Sequence, residues 1–201
     1  RYEGGIGQTG VRNLETFVRK GGTLVCLNRS SDFAISALHL PVANVVAELD
    51  RDEFYSSGSI LEVTVDPDHP VMAGMPSRAR VFFEQSPVFS TLTEFQGVAL
   101  ARYRAEGSSL LSGYLLGEAH LRGFAAALDV YLGKGHVLLI GFRPQWRGQP
   151  FGTFRILFNS ALYSGELADR KYSTPGFWQP PDVATPREEG EQGEPVPDSG
   201  H

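Results

Sequence analysis

Residues 8–38 read QTGVRNLETFVRKGGTLVCLNRSSDFAISAL, and the fold expectation starts here. Val11, Leu14 and Val18 recur at i, i+3 and i+7 with Phe17 beside them, so residues 8–20 predict a helix with one apolar stripe. Gly21-Gly22 stops it, because glycine accepts the left-handed conformation at a helix C-terminus. The next five residues, TLVCL (23–27), are apolar without alternation, as in a strand buried on both faces. A polar turn, Asn28 to Ser31, leads into a short helix over 32–38. Helix, glycine turn, buried strand, turn, helix is the order of a parallel α/β sheet.

Further elements follow the same reasoning. Residues 59–65 (SILEVTV) alternate and are β-branched, which predicts a half-buried strand. Residues 66–70 (DPDHP) form a turn, and 80–83 and 98–103 read as strands. Residues 125–132 and 136–140 flank Gly133-Lys134-Gly135, a hairpin signal. Residues 151–163 predict a closing helix with Phe154, Leu157, Phe158 and Leu162 on one face. No internal repeat is visible. The expected division is an α/β domain over 1–173 and a Pro/Gly/acid-rich tail over 174–201. Phe177 and Trp178 are expected to pin the chain before a disordered stretch, 182–201.

Composition narrows the function classes. The chain has 201 residues, 41% hydrophobic and 20% charged, which suits one globular domain. Its formal charge of -5 resides in the tail, where six acids face Arg187 alone; residues 1–181 are neutral. A neutral body offers no electrostatic footprint for nucleic acid or anionic membranes. The single cysteine, Cys26, rules out an internal disulfide. No apolar run reaches the ~20 residues of a membrane span. The start at Arg1 suggests a piece of a longer protein.

The motifs are mostly modest. Gly5-Ile6-Gly7-Gln8-Thr9-Gly10 matches G-x-G-x-x-G, but a plain glycine turn is preferred: no strand is visible before it, and the following strand ends in Asn28 rather than an acid. The five histidines lack metal-ligand spacing, so no metal or other cofactor is expected in this chain. Cys26 lies within its strand, where apolar surroundings make a thiol inert. A nucleophile at the strand-to-helix turn would have to be Ser30 or Ser31. In open α/β sheets ligands bind beyond the strand carboxyl ends. That places Asn28, Ser30, Asp32, Arg143, Gln145 and Arg147 as pocket candidates, with Arg143 and Arg147 able to clamp a carboxylate or phosphate. The alternative is a structural loop whose arginines hold neighbouring carbonyls and acids.

Four stretches together carry a family likeness: GGIGQTGVRNLETFVRKGGTLVCLNRSSDFAI (4–35), GSILEVTVDPDHPVMAGMP (58–76), LLSGYLLGE (110–118) and GKGHVLLIGFRPQWRGQPFGTFRILFNSAL (133–162). They resemble the C-terminal domain attached to some bacterial zinc carboxypeptidases of the carboxypeptidase A-like family. The resemblance implies a flavodoxin-like, class I glutamine amidotransferase-like fold: a mostly parallel sheet flanked by helices, incomplete at its N-terminus. The amidotransferase cysteine is replaced by Asn28-Arg29 at the elbow. The implied role is a non-catalytic accessory domain that packs on an upstream peptidase domain, oligomerises or binds substrate. Zinc would belong to that upstream domain, and a secreted or periplasmic location follows from the resemblance only. The alternative function is a small-molecule or sugar binding module, or a residual hydrolase, with its site at the strand ends.

Overall fold

The computed structural model describes residues 5–148 and 150–181; the expected disorder of 182–201 lies outside them. Helix α1 (Gly7–Arg19) leads to β1 (Thr23–Leu27), α2 (Ser30–Ala37) and β2 (Val42–Asn44). Strands β3 (Ser59–Val65), β4 (Arg78–Phe83), β5 (Phe89–Thr91), β6 (Gly97–Tyr103) and β7 (Leu110–Ser112) follow. Strands β8 (Ala125–Leu132) and β9 (Gly135–Ile140) precede α3 (Phe154–Leu162) and the one-turn α4 (Ser164–Leu167). Among the described residues, no helix is long and apolar enough to cross a membrane.

The strands form one mixed sheet with main order β1-β9-β8-β6-β3-β4; β2 joins through β5, β5 joins β8, and β7 joins β3. Among the described residues only β1 and β9 pair in parallel, Thr23 opposite His136 through Leu27 opposite Ile140. All other ladders are antiparallel. This overturns the expectation of a mostly parallel, flavodoxin-like sheet flanked by helices. The reason lies in the connections. A parallel pair needs a crossover of a dozen or more residues, usually a helix. Gly133 and Lys134 alone join β8 to β9, and no α-helix lies between β2 and β9. Residues 8–38 do make the helix–strand–helix unit, but its strand finds its parallel partner only in β9, after seven intervening strands.

The sheet is packed on both faces where it passes through β9. Val137 and Leu139 join Val18, Ala34, Leu38 and Leu128 on one side. Leu138 and Ile140 join Leu61, Val63, Met72, Ile156 and Leu167 on the other. Gly135 lets α1 close onto the hairpin, since a Cβ there would lie 2.1 Å from the Val18 carbonyl oxygen and 2.3 Å from that of Gly22. Helix α3 turns away from the expected stripe. It buries Ile156 and Ser160 and leaves Phe158 and Leu162 outward. Asn159 fixes this rotation, as its Nδ2 donates to the Val71 and Ala73 carbonyls at 3.0 Å each. Near the described C-terminus, Trp178 Nε1 donates to the Gly123 carbonyl at 2.7 Å, and the Arg102 guanidinium lies 5.8 Å from the Phe177 ring centre.

One buried polar cluster ties these parts together. Asp129 of β8 is fully buried between His69 and His136, which are each 1% exposed. His69 Nδ1 accepts the Val71 N–H at 3.2 Å, so its proton sits on Nε2, which donates to Asp129 Oδ2 at 3.1 Å. His136 faces acceptors on both sides: Asp129 Oδ2 2.8 Å from Nδ1 and the Leu167 carbonyl 2.7 Å from Nε2. Both its nitrogens therefore carry protons, and the ring is a cation paired with the Asp129 carboxylate. Burial alone would lower the His136 pKa, but the Asp129 carboxylate and the Leu167 and Arg170 carbonyls outweigh it and hold the pKa above its ordinary value.

This pairing sets a pH dependence. With the folded-state pKa above the unfolded one, the native chain holds more protons just above pH 6.5. The stabilisation is full below about pH 6.5 and is lost as pH rises through the folded-state value. Urea unfolding across pH 6 to 9 is expected to show stability falling by at most about 1.4 kcal/mol per pH unit from this group, and His136→Gln to remove that component. Asp129→Asn, which strips the cation of its counter-charge, is expected to cost about 3–5 kcal/mol at pH 6.

Candidate functional site

Strands β1 and β9 run side by side in one direction, so Leu27 and Ile140 end at the same edge. Asn28 continues the ladder by one bond, its N–H donating to the Ile140 carbonyl at 2.7 Å. It then turns the chain with φ of 51°, a left-handed conformation that asparagine tolerates better than most residues. Its buried side chain donates from Nδ2 to Ser86 Oγ at 2.7 Å and accepts the Arg29 N–H on Oδ1 at 2.8 Å. Ser86 sits in a second left-handed turn, at Gln85 (φ 45°), and its Oγ accepts the Glu84 N–H at 3.1 Å. The Asn28–Ser86 bond clips the two turns together.

A cleft of about 310 Å³ opens beside this clip, lined by Arg29, Asp32, Asn44, Arg51, Tyr55 and Ser86 among others. Asp32 accepts from Asn44 Nδ2 at 2.9 Å, and Asn44 Oδ1 in turn accepts the Val88 N–H at 3.1 Å. The Asp32 carboxylate is thus held in place from one side. The Arg51 guanidinium lies 5.8 Å from the Tyr55 ring centre. Neither Arg29 nor Arg51 pairs with a carboxylate of the described residues. Two guanidinium groups, one oriented carboxylate, an amide and an aromatic ring therefore surround the space.

The six candidates from the sequence do not converge. Asp32 lines the cleft, and Asn28 lies beneath its wall as a structural residue. Ser30 is exposed, and its hydroxyl donates to the Leu27 carbonyl at 2.8 Å. Arg143 is on the far side of the Gln85 turn, its Nε 3.3 Å from Glu84 Oε2 and its guanidinium 4.6 Å from the Trp146 ring centre. Gln145 is exposed outside the cleft. Arg147 (φ 52°) lines a separate depression with Ser57, Ser59 and Glu84. Arg29 was passed over between two candidates, and Asn44, Arg51, Tyr55 and Ser86 were missed, since 44–56 and 84–87 reach the site only through tertiary packing. The available signal was Asn44 amid an apolar run, PVANVVA (41–47).

The Cys26 thiol is pushed up to about 11 by burial. Among the described residues no group of three or more His, Cys, Asp and Glu is placed to hold a metal ion.

No family model matches the chain. No curated protein matches it. Solved structures similar to it include a β-galactosidase from Bacillus circulans sp. alkalophilus, at 14% identity and TM-score 0.46, covering 83% of this chain and 22% of that one. A cytoplasmic protein from Salmonella typhimurium is 15% identical with TM-score 0.44, covering 77% and 59%. A ThuA-like protein from Bacteroides uniformis is 9% identical with TM-score 0.44, covering 77% and 63%. The chain thus spans less than two thirds of each. None of the three is a carboxypeptidase, and the family suggested by the sequence resemblance gains no support from them.

Two measurements check this geometry. Cys26 is expected to resist a thiol reagent at pH 8 in the folded protein and to react fully in denaturant. Asn28→Ala is expected to lower stability more than Asn28→Gly by about 1–2 kcal/mol, because both lose the Ser86 bond but only alanine strains at positive φ.

Proposed function

We propose that this chain is a non-catalytic module that binds a small polar ligand, with an anionic group, beyond the carboxyl ends of β1 and β9. The observation that carries this reading is the pair of guanidinium groups, Arg29 and Arg51, beside one cleft without a carboxylate partner among the described residues. A ligand carboxylate or phosphate supplies that partner, and arginine presents the planar donor fork that matches it. Asp32 and Asn44 offer an acceptor and a polar amide to hydroxyl groups, and Tyr55 offers a flat apolar face. A sugar acid combines all three features. The buried thiol and a serine hydroxyl turned back on its own backbone support binding over catalysis. Such a module works within a larger protein. The sequence resemblance suggests a zinc carboxypeptidase as the parent, with zinc and export belonging to its upstream domain.

A thermal-shift and calorimetry panel of glucuronate, glucose, citrate and inorganic phosphate tests the reading. Glucuronate is expected to bind and glucose to bind far more weakly. At about 100 times its Kd a ligand adds about 2.7 kcal/mol of stability. Arg29→Ala and Arg51→Ala are expected to abolish the effect, and Arg147→Ala to leave it unchanged. Silence across the anions, or binding indifferent to Arg29 and Arg51, overturns the proposal.

A further inference from the structure

Strands β6, β3 and β4 carry arginines in two cross-strand rows. Thr64 of β3 lies opposite Arg102 on one side and Arg78 on the other. Two residues along, Glu62 lies opposite Arg80, and Arg104, just past β6, reaches Glu62 Oε1 with Nη1 at 3.2 Å. Leu61, Val63 and Val65 of β3 turn into the core, so the alternating Glu62 and Thr64 set both rows on the outer face of the sheet. Arg78 also pairs with Glu62, which leaves two guanidinium groups sharing one carboxylate. Arg80 is exposed, and neither it nor Arg102 pairs with a carboxylate of the described residues. Arg102 Nε is buried with no hydrogen-bond partner among the described residues. An open trough of about 810 Å³ adjoins the rows, lined by Ile60, Glu62, Met75, Arg78, Arg80 and Phe151 among others.

The course of the chain indicates what this face holds. Phe177 meets the Arg102 guanidinium, and Trp178 bonds the Gly123 carbonyl. Pro181 then lies beside Gly123 and Ala105: a Cβ at Gly123 would be 3.1 Å from the proline ring and 3.9 Å from the Ala105 Cβ. The Gly123 N–H donates to the Arg104 carbonyl at 3.1 Å, so the described chain ends next to the Arg104 row. The sequence that follows is acidic. Between Glu188 and Asp198 it holds five carboxylates and no lysine or arginine. We propose that the segment Glu188–Asp198 docks on the arginine rows of its own chain, its carboxylates pairing with Arg80, Arg102 and the guanidinium groups that share Glu62. The reach is ample. Strand β4 lies two strand spacings, about 10 Å, from β6. The seven residues from Pro181 to Glu188 span up to about 23 Å. A tether of this length gives the segment an effective concentration in the millimolar range, which favours it over a separate anion. Exposed ion pairs are individually weak and screened by salt, so the docking is salt-sensitive.

Paramagnetic broadening of amide signals tests this on the 201-residue chain, with a nitroxide attached at Gln192→Cys and the buried Cys26 left unlabelled. Broadening of the Glu62, Arg78 and Arg80 amides is expected at about 0.01 M salt. It is expected to be lost at about 1 M, where the Debye length falls from about 30 Å to about 3 Å. Arg78→Glu combined with Arg80→Glu is expected to abolish it, and Arg12→Glu, on α1, to leave it unchanged. A second variant leaves every described residue intact: Glu188→Gln, Glu189→Gln, Glu191→Gln, Glu194→Gln and Asp198→Asn together are also expected to abolish the broadening. No broadening on this face at low salt overturns the proposal and leaves the arginines to a separate anionic partner. Broadening that survives either set of substitutions also overturns it. Equal broadening in a mixture of spin-labelled chains and isotope-enriched unlabelled ones assigns the segment to a second copy and overturns docking within one chain.

Discussion

The structure depends on one carboxylate held away from water. Asp129 accepts from His69 and His136, and these two reach it from different parts of the chain. His69 opens the 3-10 turn at Pro70–Met72 against which α3 packs, while His136 begins the strand that pairs with β1. The far nitrogen of His136 bonds Leu167, which anchors α4. Tyr172 meets the His69 ring edge to face, with ring centres 4.6 Å apart, and its backbone N–H and carbonyl both bond the Tyr131 hydroxyl. A buried pair of this kind adds little net stability over a well-packed apolar core but makes any other arrangement costly. Its value is specificity: the hairpin, the 66–72 turn and the chain after α3 fit only in one mutual position.

The candidate cleft inherits its rigidity from that arrangement. It opens next to the edge where β1 and β9 end together, and β9 is fixed by His136. Its walls are two left-handed turns joined through a buried amide and a hydroxyl. Arg29 follows directly on the first turn. Asp32, in the first turn of α2, is oriented by Asn44, which also accepts the Val88 N–H just before β5. Asp32, Asn44, Asn28 and Ser86 are thus each held by a short hydrogen-bonded partner.

The sequence was most legible where the period was local. The helix of residues 7–19, the strand 23–27, the alternating strand 59–65 and the Gly133-Lys134 hairpin all stand as read, within a residue or two at their ends. What failed was inference across distance. The run 23–27 looks like a central strand of a parallel sheet because it is apolar throughout, and it does pair in parallel, but it is an edge strand of the sheet covered by α1 and α2. Helix α3 shows two apolar faces, and periodicity cannot say which one turns inward; Asn159 decides that through its bonds to a turn 86 to 88 residues earlier in sequence. Asp129 and Asn44 were invisible as key residues because a lone polar residue in an apolar run announces burial without naming its partner. The six pocket candidates shared a strand edge in the expected topology, but the Gln85 turn separates Asp32 from Arg143 and Arg147.

The pairing of β1 with β9 also bears on how the chain is made. Thr23 meets His136, and Leu27 meets Ile140, so β1 leaves the ribosome well before the strand it pairs with. The hydrogen-bonding edge and apolar side chains of β1 stay unsatisfied throughout synthesis of the intervening strands. Contacts of such long sequence separation are slow to close, and an open apolar strand is prone to join another chain. Helices α1 and α2 flank β1 in sequence and contact it in the fold. The cover of β1 is therefore local in sequence, while its hydrogen-bonding partner is distant.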